Sequence, residues 1–247
     1  MQTSNGGARV LAGVIFTVAR LLASNRSPNF VSRLFDDFAF QFEPMLLETL
    51  DYCAHSRVAD LVVESGGAAS LLDAGCGTGL LGAELRRRDL AASSIFGVDV
   101  SPKMAAVART KRHAGRPVYD DVAVGDLVDE RVFGARRFDV IAAADVLCYF
   151  GDVGPLFQAF ASVLEKTGGL VCFTTELDDE ADGVAPGVPN ASGARYAHGV
   201  AYVESAARAV GWALASKAPF SPRKEGGLPV AGMLWAFRPS PELTSQC

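Results

Sequence analysis

Histidines and paired cysteines, which hold most metal ions and disulfides in proteins, are scarce in this 247-residue chain. The three histidines, His55, His113 and His198, lie far apart, so we expect no metal site. The five cysteines include no C-x-x-C pair, and reduced thiols in an intracellular protein are the simplest interpretation. With 49% hydrophobic residues the chain has ample material for a core, which is typical of a soluble globular protein.

Excess positive charge is also absent. The formal net charge is −5 and the pI about 5.3, which argues against a nucleic-acid-binding protein because such proteins usually carry a basic face. Residues 1–35, in turn, contain no acidic residue, and their apolar side chains recur at helical spacing. They form either a helix that packs on the domain or a transit peptide within residues 1–25. We expect a cytoplasmic protein, with a mitochondrion or another organelle as the alternative.

A glycine-rich stretch, DAGCGTG at residues 73–79, is the most informative part of the sequence. An apolar run ends at Asp73, three glycines alternate at every second position, and a helical apolar pattern begins at Leu80. Glycine lets the backbone approach a ligand closely, and a helix that begins there points its free N–H groups at that ligand. This arrangement predicts a nucleotide-type site at the carboxyl end of the first strand of an open α/β sheet.

The chain that follows alternates between strand and helix patterns. We predict an α/β fold: a Rossmann-like seven-stranded, mostly parallel sheet with an antiparallel last strand and helices on both faces. The predicted strands span residues 70–74, 94–98, 118–124, 138–144, 169–175, 212–217 and 230–237. The predicted helices span residues 80–88, 102–112, 153–165 and 198–210, and residues 177–197 form a long loop.

Helical patterns also precede the first strand, so they cannot belong to the strand–helix alternation. We therefore divide the chain into an N-terminal helical cap, residues 1–66, and a ligand-binding domain, residues 67–247. The cap carries an aromatic-rich stripe at Phe35, Phe38 and Phe42. We expect this stripe to close over the ligands at the carboxyl edge of the sheet.

Four predicted strands end in an acidic residue: Asp73, Asp99, Asp126 and Asp145. Because the carboxyl ends of parallel strands lie at one edge of a sheet, these side chains are expected to face a common site. Asp99 follows Gly79 by twenty residues, which is the position of a carboxylate that accepts hydrogen bonds from ribose hydroxyls. Asp126 can reach the amino group of an adenine that lies over Leu127.

These motifs resemble those of class I S-adenosylmethionine-dependent methyltransferases. Residues 73–79 are similar to their glycine-rich first motif, GVDVSPKM at 97–104 to their ribose-binding motif, and GDL at 125–127 to their adenine motif. The resemblance runs in order from about residue 67 to residue 238 and implies S-adenosyl-L-methionine as the cofactor. The cofactor-binding residues that it implies are Asp73, Gly75, Cys76, Gly77, Gly79, Asp99, Val100, Met104, Gly125, Asp126, Leu127 and Ala144.

Two flanking segments resemble a narrower subgroup, the bacterial methyltransferases associated with tetratricopeptide repeats. They are LFDDFAFQF at residues 34–42 and GARYAH at residues 193–198. The sequence itself shows no such repeats, and the resemblance supplies no substrate.

Two other interpretations of the glycine-rich stretch remain open. Residues 77–82 match G-x-G-x-x-G, the motif of NAD(P)-dependent oxidoreductases. That register leaves residues 74–76 between the strand and the first glycine, and it gives no role to the GDL motif. A methyltransferase-like protein that binds without catalysis would also carry these motifs.

The residues at the predicted end of the fourth strand indicate which class of molecule accepts the methyl group. Residues 144–149, ADVLCY, lack the Asn/Asp-Pro-Pro-aromatic sequence of enzymes that methylate exocyclic amines of nucleic-acid bases. Together with the acidic charge, this argues against a nucleic acid, so we predict a small-molecule acceptor, with a protein as the alternative. Methyl transfer from a sulfonium depends mostly on positioning and on the exclusion of water.

Three residues are candidates for acceptor activation: Tyr149 after the fourth strand, and Tyr196 and His198 after the long loop. We expect them to converge at the ligand-binding edge of the sheet, with His198 as the base because imidazole titrates near neutral pH. The alternatives are a histidine that only hydrogen-bonds its own backbone at a helix N-terminus, and catalysis by positioning alone.

Overall fold

The computed structural model describes residues 31–33, 35–36, 42–90, 94–178, 186–189 and 195–240. The predicted transit peptide and Phe38 of the aromatic stripe lie outside these residues. Among the helices of the described ranges, none combines the length and the apolarity that crossing a bilayer requires.

Seven strands form the continuous part of one mixed sheet. They are β1 (Ser70–Ala74), β2 (Ser94–Asp99), β3 (Asp121–Val124), β4 (Val140–Ala143), β5 (Leu170–Leu177), β6 (Trp212–Phe220) and β7 (Gly232–Pro239). Their spatial order is β6-β7-β5-β4-β1-β2-β3. Strands β1 to β5 are parallel, and β7 is antiparallel to both of its neighbours. The predicted Rossmann-like sheet with an antiparallel last strand is therefore confirmed.

Short strands are added to this frame within the described residues. Val188–Pro189 and Tyr196–His198 extend the sheet beside the end of β5. Two small antiparallel pairs lie apart from it, Arg112–His113 with Arg116–Pro117, and Lys224–Glu225 with Leu228–Pro229. The second pair lies in the connection between β6 and β7, where the Lys224 N–H donates to the Leu50 carbonyl at 2.7 Å.

Helices cover both faces of the sheet, as predicted. They are α1 (Ala54–Glu64), α2 (Leu80–Arg87), α3 (Pro102–Thr110), α4 (Gly154–Val163) and α5 (Val200–Ala209). Shorter helical turns span Phe42–Pro44, Met45–Thr49, Glu130–Phe133 and Leu147–Tyr149. At the start of α3 the Ser101 hydroxyl accepts a hydrogen bond from the Met104 N–H at 3.1 Å, an N-cap that fixes where the helix begins.

The sheet separates two apolar cores, because successive side chains of a strand point to opposite faces. Leu71 of β1 packs with α1, α2 and α3, whereas the next residue, Leu72, packs with α4 and α5. Phe157 and Phe160 of α4 are fully buried in the second core. Burial of one such side chain contributes about 1.5–3 kcal/mol to the free energy of folding. The two cores therefore stabilise the sheet that positions the strand ends.

Several elements differ from the sequence prediction, and the contacts explain two of the differences. The helix predicted from His198 begins at Val200, because residues 197–198 pair with the end of β5 as part of a short strand. The third strand begins at Asp121 rather than at residue 118, because the Val118 N–H donates to the Lys111 carbonyl at 3.1 Å instead of pairing with β2. The helical pattern predicted ahead of the first strand is interrupted at residues 50–53.

Candidate active site

The loop between β1 and α2 brings the backbone to the edge of the sheet. Gly75, Gly77 and Gly79 have φ angles of 73°, 54° and 93°, a region that side chains with a Cβ rarely adopt. The Gly77 N–H donates to Oδ2 of Asp99 at 2.8 Å, which ties the loop to the end of β2. The glycine-rich turn predicted at the carboxyl end of the first strand is therefore present.

An aromatic side chain that the sequence analysis did not single out lies behind this loop. Tyr119 is buried, and a Cβ added at Gly79, Gly82 or Gly97 would come within 2.9, 2.5 or 3.1 Å of its ring. Its hydroxyl donates to Oδ2 of Asp73 at 2.6 Å. The ring and the loop fit together only because all three positions lack a side chain.

Two of the strand-end carboxylates, Asp73 and Asp99, are buried beside the loop. Burial raises the pKa of Asp73 to about 7, against the hydrogen bond from Tyr119 that lowers it. Burial also raises the pKa of Asp99 to about 6, although the N–H groups of Ser101 and Gly77 each donate to it at 2.8 Å. Carboxyl groups that titrate this close to neutral pH are frequent at functional sites.

A mostly apolar cavity of about 480 Å³ lies over the carboxyl ends of the parallel strands. This volume is within the range of small-molecule sites. Among the predicted cofactor residues, all but Gly79 line it: Asp73, Gly75, Cys76, Gly77, Asp99, Val100, Met104, Gly125, Asp126, Leu127 and Ala144. Gly79 lies behind the wall as the N-cap of α2, against Tyr119.

The N-terminal segment contributes a row of aromatic rings to the cavity. Phe42 meets Phe35 edge to face with ring centroids 5.7 Å apart, and Phe35 meets Tyr149 in the same way at 5.4 Å. Both phenylalanines line the cavity, and a Cβ at Gly77 would lie 3.9 Å from the Phe42 ring. The row therefore crosses from the glycine-rich loop to the turn after β4.

Polar contacts fix this segment to the domain. Asp36 Oδ1 accepts hydrogen bonds from the Ser101 hydroxyl at 2.6 Å and from the Lys103 N–H at 3.1 Å, at the start of α3. Glu43 forms a salt bridge with Lys111 after the end of that helix. The segment thus contacts both ends of α3.

Two of the three residues predicted for acceptor activation, Tyr149 and Tyr196, line the cavity, and His198 does not. The His198 side chain is buried, its Nε2 donates to the Phe150 carbonyl at 2.8 Å, and its ring stacks on Tyr202. Burial lowers the pKa of His198, so the ring is neutral at neutral pH. The short strand beside β5 holds His198 in this position, outside the cavity wall that the two tyrosines line.

The histidine that lines the cavity is His55, which the sequence analysis did not select. Its ring stacks on Tyr52 with centroids 5.2 Å apart, and burial lowers its pKa. Its Nδ1 is buried and has no hydrogen-bond partner among the described residues.

A buried ion cluster borders the cavity at the ends of β4 and β5. We define it as Arg195, Arg223, Asp145, Glu176 and Glu225. Arg223, whose side chain is fully buried, lies 2.6 Å from Asp145 Oδ1 and 2.9 Å from Glu225 Oε1, and it also contacts Glu176. Although burial and Arg195 oppose its charge, the carboxylates raise the pKa of Arg223 above its ordinary value.

The cluster also reaches the predicted tyrosine. Arg195 Nε donates to the Tyr149 hydroxyl at 3.1 Å while its Nη1 binds Glu225 at 2.6 Å. Only Asp145 and Arg195 of this cluster line the cavity. Asp145 is predictable as a strand end, whereas the two arginines come from segments without a periodic pattern.

The sheet order, the glycine-rich loop and the cavity above it together define the fold of class I S-adenosylmethionine-dependent methyltransferases. Residues 72–172 match the family described as a methyltransferase domain. This part of the chain, from β1 to the start of β5, is therefore similar to a methyltransferase domain, and the sheet around it has the class I fold. The finer resemblance to the tetratricopeptide-associated subgroup stays a prediction.

Two curated proteins are similar in sequence to part of this chain. The chain is 27% identical over 126 residues to nodulation protein S of Rhizobium tropici, covering 50% of each chain. It is 36% identical over 104 residues to the ubiquinone biosynthesis O-methyltransferase of Methylobacterium nodulans, covering 42% of this chain and 39% of that one. The chain thus spans half or less of the length of these relatives.

A solved structure supports the fold at lower identity. The 1,6-didemethyltoxoflavin-N1-methyltransferase of Burkholderia thailandensis, with bound 1,6-didemethyltoxoflavin and S-adenosylhomocysteine, superposes with a TM-score of 0.63. The two chains are 17% identical, and the match covers 87% of this chain and 91% of that one. At this identity the similarity establishes the fold and leaves the substrate open.

Proposed function

We propose that this protein is an S-adenosylmethionine-dependent methyltransferase that acts on a small molecule. The proposal rests on one observation: all but one of the residues that the cofactor motifs predict line the same cavity. S-adenosylmethionine, when bound, supplies a methyl group on a positively charged sulfur. The chain's own residues bind and orient the two ligands and exclude water.

The residues present fit this cofactor. Both oxygens of Asp99 already accept one backbone hydrogen bond, and each can accept another from a ribose hydroxyl. Leu127 offers an apolar surface to the adenine beside Asp126. Thr78 lines the cavity, and its buried hydroxyl has no partner among the described residues, which a bound ligand would satisfy.

A small-molecule acceptor is supported by the cavity and by the relatives. The aromatic row of Phe42, Phe35 and Tyr149 lines the cavity, which favours an apolar small molecule. One relative is named for ubiquinone biosynthesis, and the Burkholderia structure holds a small heterocycle. A protein acceptor is the alternative. The oxidoreductase interpretation gives no role to Asp126 and Leu127, both of which line the cavity.

We also propose that residues 1–66 act as a cap on a catalytic domain of residues 67–247, since the described part of the cap lies on the cavity. Within the site, Tyr149 and Tyr196 remain the proposed orienting groups. We no longer assign His198 as the base, because its ring lies outside the cavity wall. The cytoplasm remains the predicted compartment.

A cofactor-turnover assay across a panel of metabolite classes tests this function. We expect S-adenosylhomocysteine to form in the presence of at least one class of small molecule. A matched reaction without acceptor serves as the control. Binding of S-adenosylmethionine without turnover on any class, proteins included, would instead favour a non-catalytic binding protein.

A further inference from the structure

The cavity has two ends, which follow from the order of the strands. The ends of β1, β2 and β3 carry Asp73, Asp99 and Asp126, the side proposed to bind the cofactor. The ends of β4 and β5 lie on the other side of β1. We define the acceptor end by the lining residues Phe35, Asp145, Tyr149, Phe150, Arg195 and Tyr196.

Aromatic rings form most of the acceptor end. Phe35 and Tyr149 meet edge to face, and Phe150 and Tyr196 line the same part of the cavity. Burial raises the pKa of Tyr149, so its phenol is neutral at physiological pH. Rings in this arrangement favour a flat aromatic ligand, which can stack on them or meet them edge to face.

The charges at this end disfavour an anionic acceptor. Arg223 is bound to three carboxylates, and Arg195 is bound to Glu225 and the Tyr149 hydroxyl. Neither arginine is therefore in a position to receive a carboxylate from a ligand. The two arginines and three carboxylates of the ion cluster leave one negative charge, which repels an anion.

Asp145 differs from the other members of the cluster. Its Oδ1 accepts the hydrogen bond from Arg223 at 2.6 Å, but no described residue donates to its other oxygen, Oδ2. The side chain is 13% exposed and lines the cavity. The backbone holds this residue at a φ of 60°, and its N–H donates to the Thr174 hydroxyl at 2.8 Å. A left-handed residue at the end of a strand is uncommon and is often part of a functional site.

A carboxylate paired with arginine can only accept hydrogen bonds. We propose that the acceptor is an aromatic compound without a negative charge and with a ring hydroxyl or amino group, which donates to Oδ2 of Asp145 while its ring lies against Phe35 and Tyr149. Arg223 is a positioning residue in this arrangement, because it fixes the carboxylate through Oδ1. This inference rests on the proposed function and names the acceptor class for that same site.

Calorimetric titration of four probes into the protein saturated with S-adenosylhomocysteine tests the inference. 2-Naphthol has the ring and the donor, naphthalene lacks the donor, trans-decahydro-2-naphthol lacks the aromatic ring, and 2-naphthoate carries a negative charge. We expect 2-naphthol to bind about tenfold or more tightly than naphthalene, the effect of one hydrogen bond to a charged group. We expect it to bind more tightly than the other two probes as well.

Variants separate the hydrogen bond to Asp145 from the aromatic contact with Phe35. Asp145→Asn keeps the shape of the side chain and tolerates the left-handed backbone, and it should reduce the preference for 2-naphthol over naphthalene about threefold or more. Phe35→Leu should leave that preference unchanged and reduce the preference over trans-decahydro-2-naphthol. Asp152→Asn tests the rival carboxylate: Asp152 lines the same cavity, and both of its hydrogen bonds, from the Tyr202 hydroxyl and the Gly154 N–H, go to Oδ1. Asp152→Asn should leave the preference for 2-naphthol unchanged.

The outcomes distinguish this inference from the function on which it rests. Failure of wild-type protein to bind S-adenosylhomocysteine would overturn the proposed function and the inference together. Normal binding of S-adenosylhomocysteine with no binding of 2-naphthol, or with equal binding of the four probes, would overturn the inference alone. A loss of donor preference in Asp152→Asn instead of Asp145→Asn would also overturn it. If Asp145→Asn does not fold, the titrations of the four probes into wild-type protein and into Phe35→Leu test the inference.

Discussion

At the scale of single residues, the candidate site depends on carboxylates that the fold buries at strand ends. Asp99→Ala should weaken binding of S-adenosylhomocysteine by about ten- to a hundredfold, because it removes the proposed ribose acceptor. It also removes the acceptor of the Gly77 and Ser101 N–H groups, which shape the cavity wall. Calorimetric titration measures the change.

The matched control for Asp99→Ala is Asp129→Ala. The Asp129 side chain is exposed, and its salt bridge joins it to Arg131, outside the cavity. It should leave the affinity unchanged. A folded Asp99→Ala protein with wild-type affinity would remove Asp99 from the cofactor site.

We expect the stability of the protein to depend on pH through Asp73. Burial raises its pKa to about 7 in the folded protein, from an ordinary value of 3.8. The folded state therefore holds this proton more tightly than the unfolded state, and stability is lost as the pH rises from about 4 to about 7. Asp73→Asn cannot ionise but can still accept from Tyr119. The free energy of unfolding of Asp73→Asn relative to wild type should therefore increase across that pH range.

Urea unfolding at a series of pH values measures this difference. Wild-type protein and Asp73→Asn share every other titrating group, so their common pH dependence cancels in the comparison. A difference that does not change between about pH 4 and about pH 7 would show that Asp73 titrates normally in the folded state.

The site residues that the sequence predicts are placed by local patterns, and those that it does not predict are placed by long-range contacts. Asp73 and Asp99 follow apolar strand patterns at a fixed spacing from the glycines, so local sequence predicts them. Tyr119 meets Asp73 across 46 residues of chain, and Arg223 meets Asp145 across 78. Such pairs are set by packing between distant segments, and no periodic pattern marks them.

At the scale of elements, α2 is held close to the sheet by a glycine in its first turn. A Cβ at Gly82 would lie 2.5 Å from the Tyr119 ring. Replacement of glycine by alanine usually stabilises a helix by up to about 1 kcal/mol, whereas overpacking costs about 1–3 kcal/mol. Gly82→Ala should therefore destabilise the protein, as measured by urea unfolding.

A double variant provides the check on this cause. Gly82→Ala combined with Tyr119→Leu should lose less stability than the sum of the two single changes, because the smaller side chain makes room for the new methyl group. Strict additivity would mean that the alanine acts elsewhere in α2.

A second prediction at this scale concerns the contact between the cap and α3. Asp36→Ala removes two hydrogen bonds to the start of α3 and should loosen the segment that carries Phe35 and Phe42. We expect affinity for S-adenosylhomocysteine to fall about three- to tenfold, which is the effect of about 1 kcal/mol. Arg33→Ala, an exposed change in the same segment, is the control. Unchanged affinity in Asp36→Ala would separate the cap from cofactor binding.

Element type was more predictable from the sequence than element boundaries. All seven main strands and the five longer helices correspond to predicted segments, since apolar periodicity records which face is buried. The start of α5 was misplaced because pairing of residues 197–198 with β5 is a non-local contact. The break at residues 50–53 was missed, although apolar residues continue at helical spacing through it, because Cys53 N–H bonds to the Pro222 carbonyl instead.

At the scale of the whole molecule, the fold places the described cap, the glycine-rich loop and the ion cluster around one cavity. The family match covers residues 72–172, whereas the aromatic row and Arg223 come partly from outside that range. The common domain therefore accounts for the proposed cofactor side, and the flanking segments account for the features proposed to select the acceptor.

The most direct test of the central claim is a calorimetric titration of the wild-type protein with S-adenosylhomocysteine, and separately with NADH and NADPH. The account predicts saturable binding of S-adenosylhomocysteine at one site per chain, and no comparable binding of either dinucleotide. Binding of a nicotinamide dinucleotide in preference to S-adenosylhomocysteine, or no binding of S-adenosylhomocysteine by folded protein, would contradict it.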